Sequence, residues 1–441
     1  MNKVNVNSVI DSGKFNAFFL SVFIFGIFAT FFDGYDMAVY GVTLTLLMQD
    51  LGLDATQTGL LASAATFGMI FGAIICGMLA DKFGRKKVMV MGISFYSVFT
   101  GLCGVVENIQ VFAVFRFLGG FGMAAVIPLA TAVLSEYSPK SKRNFLVTCT
   151  SFGSGFGQTI CTLLGVLLLS FTTWHTMYLF SFLPIVVALL IYFFYPESMI
   201  FYIKRGEQKT IAKLLQKANP EFSPTPSDEY VINSFDKTKG TLWNLFQNGL
   251  ARNTILIWIM FFCNMYMAFG IMTWMPKLMT MMGYSFTSGL VFTLVYSCGG
   301  LVGALAAGLL ADKLGLKKVM TIIYIASAIC VLLTTIKMDQ NVFVVLIFVM
   351  GMFLNVPNLL TFAFTAQSYP LSMRGTGLGW GSGIGRIGSV LAPILIGILI
   401  TAGIPVNITF GTIAIPAAIG AVCITLTKKI EDTEHFKAAL Q

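Results

Sequence analysis

The sequence predicts an all-α integral membrane protein in which twelve transmembrane helices form two pseudo-symmetric halves of six. The composition is the first observation: 56% of the 441 residues are hydrophobic and only 11% are charged, with a mean hydropathy of +0.83. A soluble protein of this length needs more charge to cover its surface, so soluble classes are excluded. The second observation is that apolar runs of about 20 residues, each able to cross a hydrocarbon layer about 30 Å thick, recur along the chain.

The third observation is an internal repeat of two charged loops. The segment Gly77–Lys87 (GMLADKFGRKK) recurs as Gly308–Lys318 (GLLADKLGLKK), at an offset of 231 residues. At the same offset, Glu136–Arg143 is matched by Gln367–Arg374, with a proline, a serine and an arginine in register. Two loops at one offset indicate a tandem duplication in which each half carries the same membrane topology, as in many secondary transporters.

We place a span wherever an apolar run is long enough, which gives six spans in each half. Membrane-crossing β-strands are excluded because they need only about ten alternating residues. The spans are predicted at residues 17–40, 56–80, 88–107, 110–135, 144–169, 174–195, 253–275, 286–311, 318–336, 342–366, 376–401 and 405–427.

These spans divide the chain into three parts. Residues 1–195 are predicted to form an N-terminal six-helix bundle, and residues 252–441 a C-terminal six-helix bundle with a cytoplasmic tail. Residues 196–251 between them are of mixed charge and contain several prolines. We interpret this segment as a cytoplasmic linker with one or two surface helices, not as a third domain.

The placement of lysine and arginine predicts the orientation. The termini, the central segment and alternate loops hold 24 of the 28 basic residues, whereas the opposite side holds only Lys277 and Lys337. The last two, Arg116 and Arg386, fall inside spans. We therefore expect a multi-pass protein of the cell inner (plasma) membrane with both termini in the cytoplasm. The net charge of +9 follows from this topology and does not indicate a nucleic-acid partner.

Intramembrane charge is the sharpest pointer to function in such a chain, because it is costly to bury. Asp33 and Asp36 lie in the first span with i, i+3 spacing and share one helix face. Two close buried carboxylates favour a site that binds and releases a proton. The alternative is that they mark a wet external helix end. Gly34 between them is expected to loosen the helix or to let a substrate approach.

Arg116 lies in the fourth span. At 1.5 Å per residue, Asp33 is about 25 Å from the cytoplasmic side and Arg116 about 10 Å from the outside, so their depths nearly coincide. An Asp33–Arg116 pair is therefore possible, either in proton coupling or as a purely structural ion pair.

Arg386 lies near the middle of the eleventh span among several glycines. The glycines permit close helix packing and leave room for a ligand, and a guanidinium offers a planar fork that suits a carboxylate. We favour an anchor for a substrate anion, with a structural ion pair as the alternative.

The buried charges do not follow the repeat. At the offset of 231 residues, Asp33 aligns with Asn264, Asp36 with Met267, Arg116 with Ile347, and Arg386 with Gly155. We therefore expect proton handling in the N-terminal half and the anion anchor in the C-terminal half.

Further candidates carry less specific signals. Glu136 ends the fourth span near Lys140, Lys142 and Arg143. It either assists proton coupling and gating or forms an interfacial ion pair that contributes little to stability. Other polar residues inside spans are expected to line a substrate cavity or to form helix–helix hydrogen bonds. The members assigned to substrate binding are Gln158, Asn264, Tyr266 and Asn355.

Cofactor and metal sites have little support. The only histidines are His175 and His435, and the eight cysteines are scattered through apolar spans without a CxxC motif. No buried Ser/His/Asp set and no nucleotide-binding loop is visible. We expect no cofactor, no metal and no enzymatic activity.

The loop Gly77–Lys87 resembles the signature loop between the second and third helices of the major facilitator superfamily. Arg116 with Gly120 in helix four fits this resemblance, and Pro196-Glu-Ser198 resembles the sugar-porter-like branch. The resemblance assigns gating roles to residues of the two loop copies. They are Gly77, Asp81, Gly84 and Arg85 in the first copy, and Gly308, Asp312 and Gly315 in the second.

Each loop residue also has a physical role. Gly84 permits a tight turn, and Asp81 is able to cap a neighbouring helix when the cytoplasmic side is closed. The second copy has Leu316 where the pattern expects arginine, so a weaker C-terminal gate is expected.

The segment Asp33-Gly-Tyr-Asp36 resembles the Asp-Gly-x-Asp pattern of the aromatic acid:proton symporters, and Arg116, Glu136 and Arg386 stand where that family places functional residues. The resemblance implies proton-coupled import of a benzoate- or hydroxybenzoate-like carboxylate by alternating access, carried out by a monomer. The alternatives are proton-driven drug efflux, uptake of shikimate, nicotinate or a sugar acid, and a transporter-like sensor. A site that binds cationic drugs needs acidic side chains, so Arg386 argues against drug efflux.

Overall fold

The computed structural model describes residues 2–13, 16–139, 142–225, 228–231, 241–247, 249–336, 338–370 and 373–428, without the side chains of residues 144, 148 and 151. Helices dominate these ranges, and eleven single or paired helices are long and apolar enough to cross a membrane. They coincide with all the predicted spans except the third, at 88–107. The predicted helical membrane fold class is confirmed.

The helices are numbered α1 to α19 in chain order. The first eleven are α1 (Val6–Ser12), α2 (Ala17–Asp50), α3 (Ala55–Phe83), α4 (Arg85–Cys103), α5 (Ile109–Met123), α6 (Val126–Tyr137), α7 (Arg143–Leu168), α8 (Trp174–Leu179), α9 (Pro184–Phe194), α10 (Met199–Lys204) and α11 (Gln208–Ala218). The others are α12 (Ala251–Met281), α13 (Phe286–Leu314), α14 (Leu316–Leu333), α15 (Gln340–Leu354), α16 (Val356–Gln367), α17 (Arg374–Thr401), α18 (Val406–Gly411) and α19 (Ala414–Leu426). Two strands, β1 (Asn2–Asn5) and β2 (Asp228–Val231), complete the regular structure of the described residues, together with short 3₁₀ turns at Phe180–Phe182 and Leu242–Phe246.

The third predicted span corresponds to α4. This helix has 19 residues and begins with Arg85, Lys86 and Lys87, whose charge lowers its mean hydropathy. Its buried face includes Ile93 and Tyr96, both fully enclosed. The basic residues at its start fit a helix that leaves the apolar layer at a charged loop.

Four of the spans are interrupted, and the fourth and tenth are interrupted at equivalent positions of the repeat. The fourth span is divided into α5 and α6 around Ala124, and the tenth into α15 and α16 at Asn355. These two positions differ by the repeat offset of 231 residues. The duplication therefore extends from the loops to the irregularities of the helices.

The chain divides into two compact units. Unit 1 comprises Met1–Val39, Phe67–Cys161 and Trp174–Phe235, and unit 2 comprises Tyr40–Thr66, Thr162–Thr173 and Asp236–Gln441. The first break falls within α2, so the far ends of α2 and α3 belong to unit 2.

Unit 1 includes a small layer that the sequence analysis did not foresee. Strand β1 pairs in parallel with β2, so the first residues of the chain bind the end of the central segment. Ile211 and Leu215 of α11 are fully buried in the same hydrophobic cluster as Val6 and Ile10 of the N-terminal segment. Residues 196–225 contain two helices, within the expected one or two, and together with residues 228–231 they pack as a layer with the N-terminal segment.

Side-chain hydrogen bonds hold this layer together. The Asn219 Nδ2 atom donates to the Val9 carbonyl oxygen and to the Ser12 hydroxyl, both at 3.2 Å. Asp11 of α1 accepts from Arg143 Nη2 at 2.7 Å, which connects the layer to the start of α7. The N-terminus is therefore anchored before the first span begins.

Unit 2 is built around close contacts of α12. A Cβ built on Gly388 of α17 would collide with the Phe262 carbonyl oxygen, and one on Gly41 of α2 would collide with that of Met272. Trp274 of α12 is fully buried, and its Nε1 atom donates to the Pro393 carbonyl oxygen at 3.0 Å. Glycine at these crossings lets the helix backbones touch.

Candidate functional site

The strongest candidate site in unit 1 is the acidic pair of α2. Asp33 and Asp36 are each only 1% exposed, one turn apart on the same helix face. Their burial disagrees with the alternative of a wet helix end. Buried carboxylates of this kind are costly unless they are paired or protonated, which is the behaviour a proton site requires.

Arg116 of α5 supplies the opposite charge. Its side chain is also buried, and its Nη1 atom lies 3.8 Å from Oδ2 of Asp36. The recorded ion pair therefore involves Asp36, whereas the sequence analysis considered Asp33. The separation exceeds hydrogen-bond distance, so the two charges attract each other without being locked together.

Helix α4 adds two side chains that sequence reasoning missed. Tyr96 is fully buried within electrostatic range of both carboxylates, and Thr100, one turn later, lies beside Asp36. Among the described residues, the Tyr96 hydroxyl has no hydrogen-bond partner within bonding geometry. The sequence carried a weak signal, namely polar residues at i, i+4 within an apolar span.

The backbone around the acidic pair is fixed by α7. A Cβ built on Gly34 would collide with the Ser154 carbonyl oxygen, and one on Gly157 with that of Phe31. Gly34 therefore serves close helix packing, which corrects the expectation that it loosens the helix or admits a substrate. Gln158, next to Gly157, is half-buried on α7.

The Tyr35 hydroxyl of α2 also anchors the segment that carries the acidic pair. Tyr35 is buried, and its hydroxyl donates to the Met177 carbonyl oxygen at 2.8 Å. The segment Asp33-Gly-Tyr-Asp36 is thus held by neighbours on both sides, which sets the direction of the two carboxylates.

Arg386 lies on α17 in unit 2 and is half-buried. The glycines around it fall into two groups, as expected. Gly388 belongs to the face in contact with α12, whereas a Cβ on Gly383 would meet no atom within 4 Å. The guanidinium therefore extends from a helix with one packed face and one face that leaves space.

Asn264, at the repeat position of Asp33, is a fully satisfied buried residue. Its Oδ1 atom accepts from the Tyr324 hydroxyl at 2.7 Å, and its Nδ2 atom donates to the Thr361 hydroxyl at 2.9 Å. This network joins α12, α14 and α16. It favours the helix–helix hydrogen bond over a substrate contact.

The other two polar candidates of unit 2 have local contacts. Tyr266 is 8% exposed and packs against the Phe262 ring. Asn355 is half-buried at the junction of α15 and α16, and its Nδ2 atom donates to the Gly351 carbonyl oxygen at 3.1 Å. Asn355 thus satisfies a backbone group near the helix interruption.

A charged cluster lies at the first loop copy. Glu136, at the end of α6, forms an ion pair with Arg85 at the start of α4. The same carboxylate accepts from the Ser198 hydroxyl at 2.7 Å and from the Met199 amide at 2.9 Å. Glu136 therefore belongs with the first loop copy. Its expected neighbour Lys140 lies outside the described residues.

A second carboxylate completes this cluster. Oε1 of Glu197 accepts from the Lys86 amide and from the Ser198 amide, each at 2.9 Å. A Cβ on Gly84 would collide with Oε2 of Glu197, and Gly84 has a φ of +101° that favours glycine. The two carboxylates hold the start of α4 to the segment after α9.

The second loop copy keeps the turn and lacks the cluster. Gly315 has a φ of +86°, but Leu316 replaces the arginine, and the structure records no ion pair for Asp312 in the ranges it describes. Asp312 and Asp81 are both exposed, and Asp81 caps no helix N-terminus of the described chain. The remaining loop glycines, Gly77 and Gly308, have no neighbouring atom within 4 Å of a built Cβ.

Comparison with known proteins agrees with this architecture. The family model described as Major Facilitator Superfamily matches residues 26–295 and 287–439. The xylose transporter XylE from E. coli, in an inward open conformation, superposes with a TM-score of 0.72 at 16% identity, covering 96% of this chain and 99% of that one. A D-xylose-proton symporter superposes with a TM-score of 0.70 at 16% identity, covering 95% and 99%.

Sequence relatives are closer. The chain is similar to the benzoate transport protein of Acinetobacter baylyi, with 33% identity over 96% of this chain and 92% of the relative. It is also similar to the 4-hydroxybenzoate transporter PcaK of the same organism, with 31% identity over 92% and 90%. The gentisate transporter of Corynebacterium glutamicum is 30% identical over 94% and 90%.

The family match extends over nearly the whole chain, and the structural superpositions agree with it in fold. Together with the repeated loops and the helical spans, these findings identify the chain as a member of the major facilitator superfamily, a multi-pass membrane transporter and not an enzyme.

Proposed function

We propose that this protein imports a small aromatic monocarboxylate together with a proton, by alternating access. Relatives named for benzoate, 4-hydroxybenzoate and gentisate support the substrate class. The single observation that supports proton coupling is the buried group of Asp33, Asp36 and Arg116 in unit 1.

The chemistry of that group suits a reversible proton site. Burial and a neighbouring carboxylate both favour the protonated form of an aspartate, whereas a neighbouring arginine favours the charged form. The two aspartates titrate as a coupled pair. Adding one proton removes one negative charge beside Arg116 and weakens its ion pair, so proton binding changes how α2 is held to α5.

Energetics favours coupling to a cation such as the proton. Import of one anion into an inside-negative cell is opposed by about 2.3 kcal/mol per 100 mV. One proton cancels that charge, so the electrical penalty disappears and the proton concentration gradient drives uptake. Without coupling, the anion would reach an equilibrium concentration inside the cell about 50-fold below the concentration outside at 100 mV.

Arg386 is proposed as the anchor of the substrate carboxylate. Its guanidinium offers two parallel donors that match a carboxylate, and the open glycine face beside it leaves room for a ring. Gln158, Tyr266 and Asn355 are retained as candidates for the cavity lining, whereas Asn264 is assigned to helix packing.

The gating loops and the topology complete the proposal. The Arg85–Glu136 ion pair and the Glu197 hydrogen bonds hold the first loop in one arrangement, which a conformational change has to break. We propose that residues 1–195 and 252–441 are the two moving bundles. Both termini are placed in the cytoplasm, and one copy of the chain is sufficient for transport.

Uptake of radiolabelled benzoate and 4-hydroxybenzoate, with and without a protonophore, tests the proposal. We expect protonophore-sensitive uptake that is lost in Asp33→Asn and in Arg386→Ala. Asp54→Asn is the matched control, since Asp54 is exposed and caps α3 through Gln57, a role that asparagine also fills. The proposal is wrong if both site variants retain wild-type uptake.

Competition with unlabelled acids then defines the substrate range. The niacin transporter NiaP and a cis,cis-muconate transport protein, both of Acinetobacter baylyi, are 30% and 25% identical to the chain. Nicotinate and muconate therefore belong in the panel beside gentisate. Strong competition by muconate and none by benzoate would replace the aromatic substrate with an open-chain acid.

A further inference from the structure

Unit 2 contains a groove whose lining residues have no assigned role in the proposed mechanism, although α2 and α12 belong to the two proposed moving bundles. It has a volume of about 370 Å³ and lies where the ends of α2 and α12 meet the start of α13. This volume falls within the usual range of about 300–1,000 Å³ for small-molecule sites. The residues relevant to binding are Thr45, Gln49, Lys277, Thr280, Tyr284 and Phe286.

The groove carries a cation without a carboxylate partner. Lys277 is half-buried, and within the described ranges it takes part in no ion pair. Only Lys277 and Lys337 of the 28 basic residues fall outside the spans on this side of the expected topology, and Lys337 lies beyond the described ranges. The chain otherwise has few basic residues on the non-cytoplasmic side of the expected topology. A lysine in a groove on that side points to an anionic ligand.

Two further features add donors to the same groove. Thr45 is 4% exposed, and its hydroxyl has no hydrogen-bond partner in the described part of the chain. Helix α13 begins at Phe286, so its positive N-terminal end faces the groove. The ammonium group of Lys277 and the helix N-terminus together favour the oxygens of a carboxylate, and Thr45 brings to the groove wall a buried hydroxyl that has no hydrogen-bond partner among the described residues.

One wall of the groove is a fixed aromatic surface. The Tyr284 ring stacks against Phe343 at 5.7 Å between centroids and contacts the Phe292 ring edge-on at 4.9 Å. Both supporting rings are fully buried. A ring held this firmly offers a stacking surface to an aromatic ligand at little entropic cost.

We propose that this groove is a second binding site, which takes small aromatic carboxylates at the face of the membrane opposite the N-terminus. The site is distinct from the buried acidic pair, since Thr45 follows Asp36 by nine residues on α2. It would concentrate the substrate anion at the entrance by attracting it to Lys277. The choice of an aromatic carboxylate rests on the proposed function, whereas anion binding itself rests on the groove alone.

A cysteine reporter tests the electrostatic part. Met281 lines the groove and is 39% exposed. The variant Met281→Cys is therefore labelled with membrane-impermeant thiol reagents that are either anionic or cationic. The wild-type chain, labelled in the same way, gives the background from the eight natural cysteines. The charge of Lys277, taken as about 8 Å from the thiol in water, raises the labelling rate of the anionic reagent about twofold and lowers that of the cationic reagent about twofold. We expect Lys277→Gln to lower the anionic-to-cationic rate ratio about fourfold at low salt, and Lys277→Arg to preserve it. An unchanged ratio in Lys277→Gln overturns the inference.

Protection by benzoate tests the ligand. Labelling of Met281→Cys is followed with added benzoate in two backgrounds, Arg386→Ala and Lys277→Gln, in vesicles of neutral phospholipid. We expect protection to persist without Arg386 and to be lost without Lys277. Protection that requires Arg386 and not Lys277 refutes a second site.

Uptake separates this inference from the proposed function. If the wild-type chain takes up benzoate and Lys277→Gln changes neither its KM nor the labelling ratio, only the second site is wrong. If the wild type takes up no benzoate while the ratio and the protection depend on Lys277, the groove binds anions and the proposed function is wrong. We expect a raised KM in Lys277→Gln with an unchanged kcat.

Discussion

The Asp36–Arg116 ion pair makes the sharpest prediction about proton coupling. Asp36→Asn removes the charge of the carboxylate while keeping its size. The two charges lie 3.8 Å apart and both side chains are buried, so their attraction is about 4 kcal/mol at an effective dielectric constant of about 20. Removing one partner of a buried ion pair costs about 3–5 kcal/mol, and we expect a loss toward the lower end because Asp33 keeps a second carboxylate in the same buried group.

Two measurements follow from this magnitude. We expect Asp36→Asn to lower the free energy of unfolding in detergent, and the double variant Asp36→Asn/Arg116→Gln to recover part of the loss. In vesicles, we expect Asp36→Asn to lose protonophore-sensitive accumulation of benzoate. Exchange of labelled for unlabelled substrate should persist, since exchange needs no net proton movement.

Opposite results would refute the reasoning in separate ways. If Asp36→Asn accumulates substrate like the wild type, then Asp36 does not carry the proton, and Asp33→Asn becomes the decisive variant. If the double variant is no more stable than the Asp36 single variant, the two side chains are not energetically coupled.

Three more predictions concern packing, gating and the buried network. Gly34→Ala pushes α2 away from α7 and should abolish membrane expression, measured by immunoblot. Gly379→Ala should express normally, because a Cβ built on Gly379 meets no atom within 4 Å. Glu136→Gln breaks the ion pair at the start of α4 and should lower the uptake rate at unchanged expression. Asp312→Asn in the exposed second loop should lower the uptake rate less. Equal losses of uptake in the two variants would contradict an asymmetric gate. Tyr324→Phe removes one buried hydrogen bond and should cost about 1–3 kcal/mol in unfolding experiments with KM unchanged; a raised KM would return this network to the substrate site.

The sequence predicted the spans and the acidic pair because both depend on the chain alone. Apolar length sets where a helix crosses, and depth along each helix placed Arg116 level with the aspartates. The sequence could not decide whether Asp33 or Asp36 forms the ion pair with Arg116, because one helix turn separates the two aspartates. That choice depends on how α2 and α5 rotate against each other.

Residues missed by the sequence analysis share one physical reason. Tyr96 and Thr100 lie on α4, where a few polar residues at i, i+4 do not show which neighbouring helix they meet. The contact of Glu136 with Arg85 is equally non-local, since it joins residues 51 positions apart. Contacts between helices in a membrane are set by packing, which the hydrophobic pattern does not encode.

The small layer of unit 1 imposes an order on synthesis. Strand β1 occupies the first residues of the chain, but its partner β2 appears only at Asp228–Val231, after six spans have been made. At about 5–20 residues per second, the N-terminal strand waits about 10–45 s for its partner. During that interval α1 also lacks the apolar surface of α11, and the N-terminus remains open to proteases and to other strands. Strand β1 is therefore made well before its partner, and their pairing is among the last contacts of unit 1 to form.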